Sequence, residues 1–327
     1  MIVINSISKD HTTTEVIRWL IALGVKDFVR IDSDVEDIEF VGYNGIDSFI
    51  ISKNGIPINL FESKSYWYRR GGVISFSKSK LKEIKLSQDI NLEKKLIGNI
   101  SSENQALNDY IKQFVAHRSP VSLGSYHNSS LNKLHVLDLA RQFGIKTPGT
   151  FVINTKKELS RKLVENGPLI TKAISEGVSI YNVNHSYYSY TEEINESDLV
   201  NISDVFFPSL FQKKVDKKFE IRVFFLSDRF YSMVILSQRN KQTEVDFRKY
   251  DERKPNRFLP FRLPAEVELK LAALFKALDL NTGSADFVVD KNNEYFFLEI
   301  NPVGQFSMVS YPCNYYLEKE VAKFLIN

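Results

Sequence analysis

The sequence predicts an α+β protein in which a small α/β domain precedes a body built from antiparallel hairpins. Three observations carry that reading. Residues 2–31 run strand, helix, strand; residues 40–61 alternate short apolar runs with Asn-Gly turns; and residues 284–302 form two β-rich runs around Lys291, Asn292 and Asn293.

Each element follows from local chemistry. Residues 2–7 are an apolar strand, residues 10–14 supply helix-capping groups, and residues 15–23 have helical spacing until Gly24 stops it. A strand at 28–31 closes the β-α-β unit. Short strands at 40–41, 49–52 and 58–61 follow, with turns at Gly42, Asn44-Gly45 and Asn54-Gly55. No Gly-x-Gly-x-x-Gly follows the first strand, so this opening does not read as a dinucleotide site. A helix at 103–118 leads into a Ser/Pro/Gly-rich loop through Ser130, the first domain boundary. A second small α/β unit comprises a helix at 131–143 ended by Gly144, a strand at 150–153, a helix at 156–165 and a strand at 168–173. Residues 177–198 are polar and Tyr-rich without clear periodicity. The last block holds strands at 219–226 and 229–237 joined by Ser227-Asp228, a basic loop at 239–257, and a helix at 265–278 behind Pro264. The domains are therefore expected at 1–125, 126–209 and 210–327.

Composition narrows the function classes. With 327 residues, 43% hydrophobic and 25% charged, the chain suits a soluble protein of two or three domains. Its 43 basic and 40 acidic residues leave a net charge of +3, which announces neither nucleic acid nor a membrane surface. Residues 1–10 lack a signal-peptide or anchor pattern, and no segment approaches the roughly 20 apolar residues of a membrane span. One cysteine, Cys313, excludes an internal disulfide and a Cys-rich zinc site, and an inert thiol is expected there.

The C-terminal hairpin holds the most informative cluster. Side chains alternate along a strand, so Glu299 and Asn301 share a face, and a two-residue turn at Asn292-Asn293 sets Asp286 directly opposite Glu299. Two carboxylates and a carboxamide suit Mg2+; ordinary surface acids are the competing reading. Upstream, Lys172 near a strand end can snorkel to solvent or reach a phosphate. Gln212, Lys213 and Val215 lie where a strand enters a basic turn, read either as solvated or as a hinge whose backbone meets adenine. Glu220 and Arg222 share one strand face, as an ion pair or with the guanidinium aimed at a phosphoryl group. Lys133 sits one turn into its helix, where a helix N-terminus and an ammonium can hold phosphate together. The tract Tyr66-Trp67-Tyr68-Arg69-Arg70-Gly71-Gly72 fits peptide binding and core packing equally.

In that order, Lys133, Lys172, the 212–215 hinge, Glu220-Ile221-Arg222, Asp286 and Glu299-Ile300-Asn301-Pro302 resemble the ATP-grasp superfamily. The resemblance implies an ATP-grasp fold with an N-terminal α/β (pre-ATP-grasp) domain. It further implies Lys133 and Lys172 on phosphates, Gln212, Lys213, Val215 and Glu220 in the nucleotide site, Arg222 on the transferring phosphoryl group, and Asp286, Glu299 and Asn301 on Mg2+. Two departures stand out. Lys213 replaces the acidic hinge residue of many members, and their glycine-rich lid is reduced to Gly177.

A narrower similarity runs through Trp67-Tyr68-Arg69-Arg70, Asn132-Lys133-Leu134, Thr147-Pro148, Asp246-Phe247-Arg248-Lys249-Tyr250, Asn256-Arg257, Leu263-Pro264 and residues 299–316. These segments resemble the microviridin-type (graspetide) peptide maturases, and the tail at 301–316 resembles most the grasp-with-spasm branch. That resemblance implies a cytoplasmic, homodimeric ligase that uses ATP and Mg2+. Its partner is a ribosomally synthesised precursor peptide with leader and core, whose Glu or Asp side chains it joins to Ser or Thr as esters, or to Lys as amides. Arg222 and Arg239 are then candidates to hold the acceptor carboxylate by paired hydrogen bonds, with Arg248 behind them, and Asp246 is the candidate base. Two alternatives share the nucleotide residues: a ligase adding amino acids to a peptide or protein terminus, and a non-catalytic nucleotide-binding regulator.

Overall fold

The first strand, β1 (Ile2–Ser6), is buried at every position, as expected of a central strand in a parallel sheet. The structure, a computed structural model, describes residues 1–35, 37–74, 90–175, 177, 179–181, 186–188, 190–238, 253 and 255–327. The described residues divide into two compact units, Met1–Ser129 with Tyr316–Asn327, and Ser130–Tyr315.

In the first unit β1 leads to α1 (His11–Ala22), whose N-cap Asp10 accepts from Thr13 N, and then to β2 (Phe28–Asp32). An antiparallel meander follows: β3 (Ile38–Tyr43), β4 (Phe49–Lys53) and β5 (Ile56–Asn59). The strand expected at 58–61 stops at Asn59, because the Asn59 side chain accepts from Phe61 N and turns the chain into a single 3-10 turn. β6 (Ser65–Tyr68), α2 (Ile90–Arg118) and β7 (Val121–Leu123) complete a parallel sheet of order β2-β1-β6-β7. β6 is the aromatic tract, and core packing is what it does: Tyr66, Trp67 and Tyr68 are all buried. Gly71, with φ of 84°, follows it at a point where a Cβ would lie 2.2 Å from Ser33 Oγ, so glycine is required.

The second unit begins with α3 (Lys133–Gln142), whose N-cap Asn132 accepts from the amides of Leu134 and His135. β8 (Thr150–Thr155), α4 (Lys156–Asn166) and β9 (Leu169–Lys172) come next, then β10 (Ser179–Tyr181) paired with β11 (Ser186–Tyr188), β12 (Glu192–Ile194) and β13 (Val205–Lys213). Strands β12-β9-β13-β8 form an antiparallel sheet. One face packs on α4 through Ile153, Leu159, Leu163, Leu169 and Phe211.

The second sheet of this unit uses β14 (Lys217–Leu226), β15 (Arg229–Leu236) and β16 (Arg257–Phe261). After α5 (Ala265–Ala277) it adds β17 (Thr282–Asp290) and β18 (Tyr295–Asn301), in the order β16-β15-β14-β17-β18. β16 falls where only a basic loop and its flank were expected; Pro260 within it is tolerated because the strand is an edge. The core of the unit lies between this sheet and α3 and α5, with Ile221, Val223, Phe225, Ala285, Phe287 and Val289 facing Leu137, Leu271 and Phe275. Truncating one such phenylalanine to alanine costs about 3–5 kcal/mol. α6 (Ser307–Cys313) ends the unit, and α7 (Leu317–Ile326) packs on α1 in the first. Among the described residues no helix is long and apolar enough to cross a membrane.

Candidate active site

β14, β17 and β18 are neighbours, and their register sets Arg222 opposite Asp286 and Asp286 opposite Glu299. Cross-strand partners share a face, so a guanidinium and two carboxylates make one row across three strands, on the side away from Phe287 and Val289. The route to this register corrects the expected two-residue turn. The loop has three residues, Lys291 to Asn293, with Asn293 at φ of 62°, and Asp290 Oδ1 accepts from the amides of Asn292 and Glu294 at 2.9 and 2.8 Å. An odd loop by itself would turn Glu299 toward the core. The extra residue Leu298, a bulge between the Phe287–Phe297 and Asp286–Glu299 pairs, restores the polar row.

The row is only partly satisfied. Arg222 Nε lies 3.8 Å from Asp286 Oδ1, too far for a hydrogen bond, and is buried without an acceptor among the described residues. Lys133 reaches the row from the first turn of α3, with Nζ 3.0 Å from Glu299 Oε2. The same ammonium donates to the carbonyls of Ala173 at 3.1 Å and Ser175 at 3.5 Å, just past β9. It therefore ties the two sheets of this unit together. Asn301 lies opposite Ser284 on the same face as Asp286, and its Oδ1 accepts from Val303 N at 3.1 Å. Gly304 keeps that turn flat on β17: a Cβ there would come within 2.6 Å of Ser284 Cβ.

Beside the row, Glu220 is almost wholly buried, with Oε1 receiving Lys217 Nζ at 2.9 Å and Ser237 Oγ at 2.8 Å. Burial pushes its carboxyl above the usual range and Asp286 adds to that, while Lys217 and Ser237 oppose it. Lys217 and Ser237 escaped sequence reading, the first as one of several basic turn residues and the second as a strand end. The carbonyls that hold Lys133 carry no sequence signal at all.

On the other sheet, Lys172 stands opposite Leu210 at the end of β9, on the face that also carries Gln212. Gln212 is fully buried; Nε2 donates to Thr150 Oγ1 at 3.0 Å, while Oε1 has no donor among the described residues. Lys213 N donates to Gly149 O and Lys214 N to Pro168 O, which pins the strand end where it turns through Val215 into β14. Arg239, Asp246 and Arg248 lie outside the described residues. Cys313 is buried, and burial pushes its thiol up to about 11, as an inert cysteine requires.

The donor set of the row suits a hard cation: two adjacent carboxylates and a carboxamide, all oxygen. Among the described residues no group of three or more His, Cys, Asp or Glu is placed to hold a metal, so an ion on Asp286 and Glu299 needs Asn301, phosphate or water to complete its shell. The unsatisfied Arg222 Nε and Gln212 Oε1 offer a donor and an acceptor to a ligand along the same two sheets.

No family model matches the chain. Over 92 residues, 28% of its length, it is 30% identical to pyruvate carboxylases of Pichia angusta and Aspergillus niger, and the match spans 8% of those much longer proteins. Solved structures extend the likeness to the whole chain. A RiPP-associated ATP-grasp ligase of Chryseobacterium gregarium, in complex with ADP and a leader and core peptide, superposes with a TM-score of 0.78 at 22% identity, covering 99% of this chain and 94% of that one. The fold is that of the ATP-grasp ligases. The macrocyclase MdnC of Microcystis aeruginosa, bound with precursor peptide MdnA, gives a TM-score of 0.76 at 25% identity over 100% of this chain and 99% of its own. The ATP-grasp ligase PsnB, complexed with a phosphomimetic variant of minimal precursor, Mg and ADP, gives 0.73 at 17% identity over 99% and 97%. The Arg222–Asp286–Glu299 row lies on the second of the two sheets of the second unit.

Proposed function

We propose that this chain is an ATP-dependent peptide macrocyclase that joins Glu or Asp side chains of a ribosomally made precursor to Ser or Thr hydroxyls, or to a Lys amine. The Arg222–Asp286–Glu299 row, with Lys133 against it, carries the reading. Whole-length similarity to peptide-bound ATP-grasp ligases supports the substrate class.

A carboxylate and a hydroxyl do not condense in water because the leaving group is poor. Phosphoryl transfer from ATP to the carboxylate oxygen forms an acyl phosphate, a mixed anhydride, and releases ADP; the hydroxyl oxygen or amine then attacks the acyl carbon, its proton passes to a base, and phosphate leaves. The peptide loses the elements of one water per ring. Lys133 and Lys172 hold phosphates, while Gln212 Oε1 and the backbone of Lys213 and Val215 border adenine, with Glu220 at the edge of that site. Arg222 directs its unpaired Nε at the phosphoryl or acyl-phosphate oxygens. Asp286, Glu299 and Asn301 hold Mg2+, which when bound neutralises charge on the transferring group. Arg239 and Arg248 keep their sequence-based assignment as carboxylate clamps and Asp246 as base. A leader held elsewhere raises the local concentration of the core, so the site itself needs only weak core recognition. The proposal includes a cytoplasmic setting and a homodimer, the latter checked by light scattering.

The test is to incubate the protein with ATP, Mg2+ and a precursor peptide bearing repeated Thr and Glu or Asp near its end, then to weigh the peptide. Loss of one water per ring is expected. Gain of an amino-acid mass would assign a terminal ligase instead, and an unchanged peptide with no ATP consumption would overturn both.

A further inference from the structure

The Lys133 ammonium has three protons and, among the described residues, three oxygen acceptors: Glu299 Oε2 at 3.0 Å, Ala173 O at 3.1 Å and Ser175 O at 3.5 Å. It is largely shielded, with 16% of its side chain exposed against 35% for Glu299. One carboxylate and two carbonyls around a positive charge make a small oxygen cage, of the kind that otherwise receives a hard cation. Here the cation is the protein's own.

From this geometry we infer that Lys133 is a resident counter-ion for Glu299. It competes with divalent metal for that carboxylate until nucleotide phosphate draws the ammonium away. The inference rests on the reading of Glu299 as a metal ligand and goes beyond it. An ammonium held within hydrogen-bond distance of Glu299 opposes a dication on the same oxygens, so Glu299 offers its full charge only once Lys133 has other acceptors. Phosphate oxygens are such acceptors, and Lys133 needs only a side-chain rotation at the N-terminus of α3 to exchange Glu299 for them. Lys133 thereby couples the two binding events. Coupling is reciprocal, so Glu299 restrains Lys133 as much as Lys133 restrains Glu299.

Two titrations test this without turnover. Mn2+, followed by its EPR signal, is titrated into nucleotide-free wild type and Lys133→Met. The variant is expected to bind Mn2+ about tenfold tighter, with the gain abolished in Lys133→Met/Glu299→Gln. Equal Mn2+ affinity of wild type and Lys133→Met would overturn the inference. ADP is then titrated in EDTA into Glu299→Gln and Asp286→Asn, which remove the same charge. Glu299→Gln is expected to gain more ADP affinity than Asp286→Asn because it removes the carboxylate that Lys133 contacts at 3.0 Å, and equal gains count against the counter-ion role. This second arm does not depend on how well Lys133→Met folds. Mn2+ bound by wild type with ADP, and lost in Glu299→Gln, upholds the metal reading even where the counter-ion inference fails.

Discussion

Two acid–guanidinium pairs, one in each unit, are built to opposite ends. Asp10 and Arg69 are each about 5% exposed and meet at 3.1 Å, and Asp10 also caps α1 through Thr13 N and lies 3.2 Å from Arg70 Nε. Arg222 and Asp286 are more open, 13% and 21% exposed, stand 3.8 Å apart and leave Nε without an acceptor. The first carboxylate is saturated by its own chain. The second pair keeps a buried donor in reserve at a cost of about 1–3 kcal/mol, which a ligand can recover. Direct hydrogen bonding, more than charge or burial, separates the two pairs: Arg69 donates to Asp10, while Arg222 stands too far from Asp286 to do so.

The largest effect is expected at the closed pair. Asp10→Ala removes the α1 cap and strands a buried guanidinium, so unfolding should become easier by about 3–5 kcal/mol. Burial already presses the Arg69 guanidinium down to about 10, with Asp10 as its main support. Chemical denaturation reads the loss directly. A change under about 1 kcal/mol, the range of a surface pair, would mean that Asp10–Arg69 is no more structural than an exposed bridge.

How far these two pairs were legible follows the same division. Period-two counting sets Asp286 opposite Glu299, as found, and puts Arg222 on a face with Glu220, but it does not bring Arg222 beside Asp286, which follows from the pairing of β14 with β17. The counting reached the right register through a turn that does not exist: a three-residue loop and the bulge at Leu298 cancel, and neither leaves a mark on alternation. Arg69 could not be assigned, because β6 is buried on both sides and a fully buried strand has no polar face to count from. Helical patterning is plain only from residue 103, although α2 runs Ile90–Arg118, since Gly98, Ser101 and Ser102 weaken its first half. The cage around Lys133 is two-thirds main-chain carbonyl, which any residue supplies.

At the open pair the expected effect is kinetic. Arg222→Ala should lower turnover by about 10²–10³, the loss typical of one preorganised donor, while unfolding changes little because the pair is not hydrogen-bonded. Single-turnover peptide cyclisation and a thermal melt on the same sample separate the two. Lost stability with retained turnover would move Arg222 into the class of Arg69.

Glu220 sits between the two classes: saturated like Asp10 by Lys217 and Ser237, yet beside the open row. Its carboxyl is held above its ordinary value of 4.5, first by burial and further by Asp286, so in the folded state burial outweighs Lys217 and Ser237. The sign follows from linkage. Glu220 contributes stability while protonated, fully below 4.5, and loses it as pH rises through the raised value. Glu220→Gln mimics the protonated form at every pH and keeps a side-chain oxygen for Ser237. Wild type and Glu220→Gln should therefore melt together in acid, with wild type falling behind as pH rises toward neutrality. This is the smallest of the three effects, read as a difference between two melting curves across pH. Should wild type instead gain on the variant with rising pH, Lys217 would outweigh burial, and Glu220 would belong with the closed pair of the first unit.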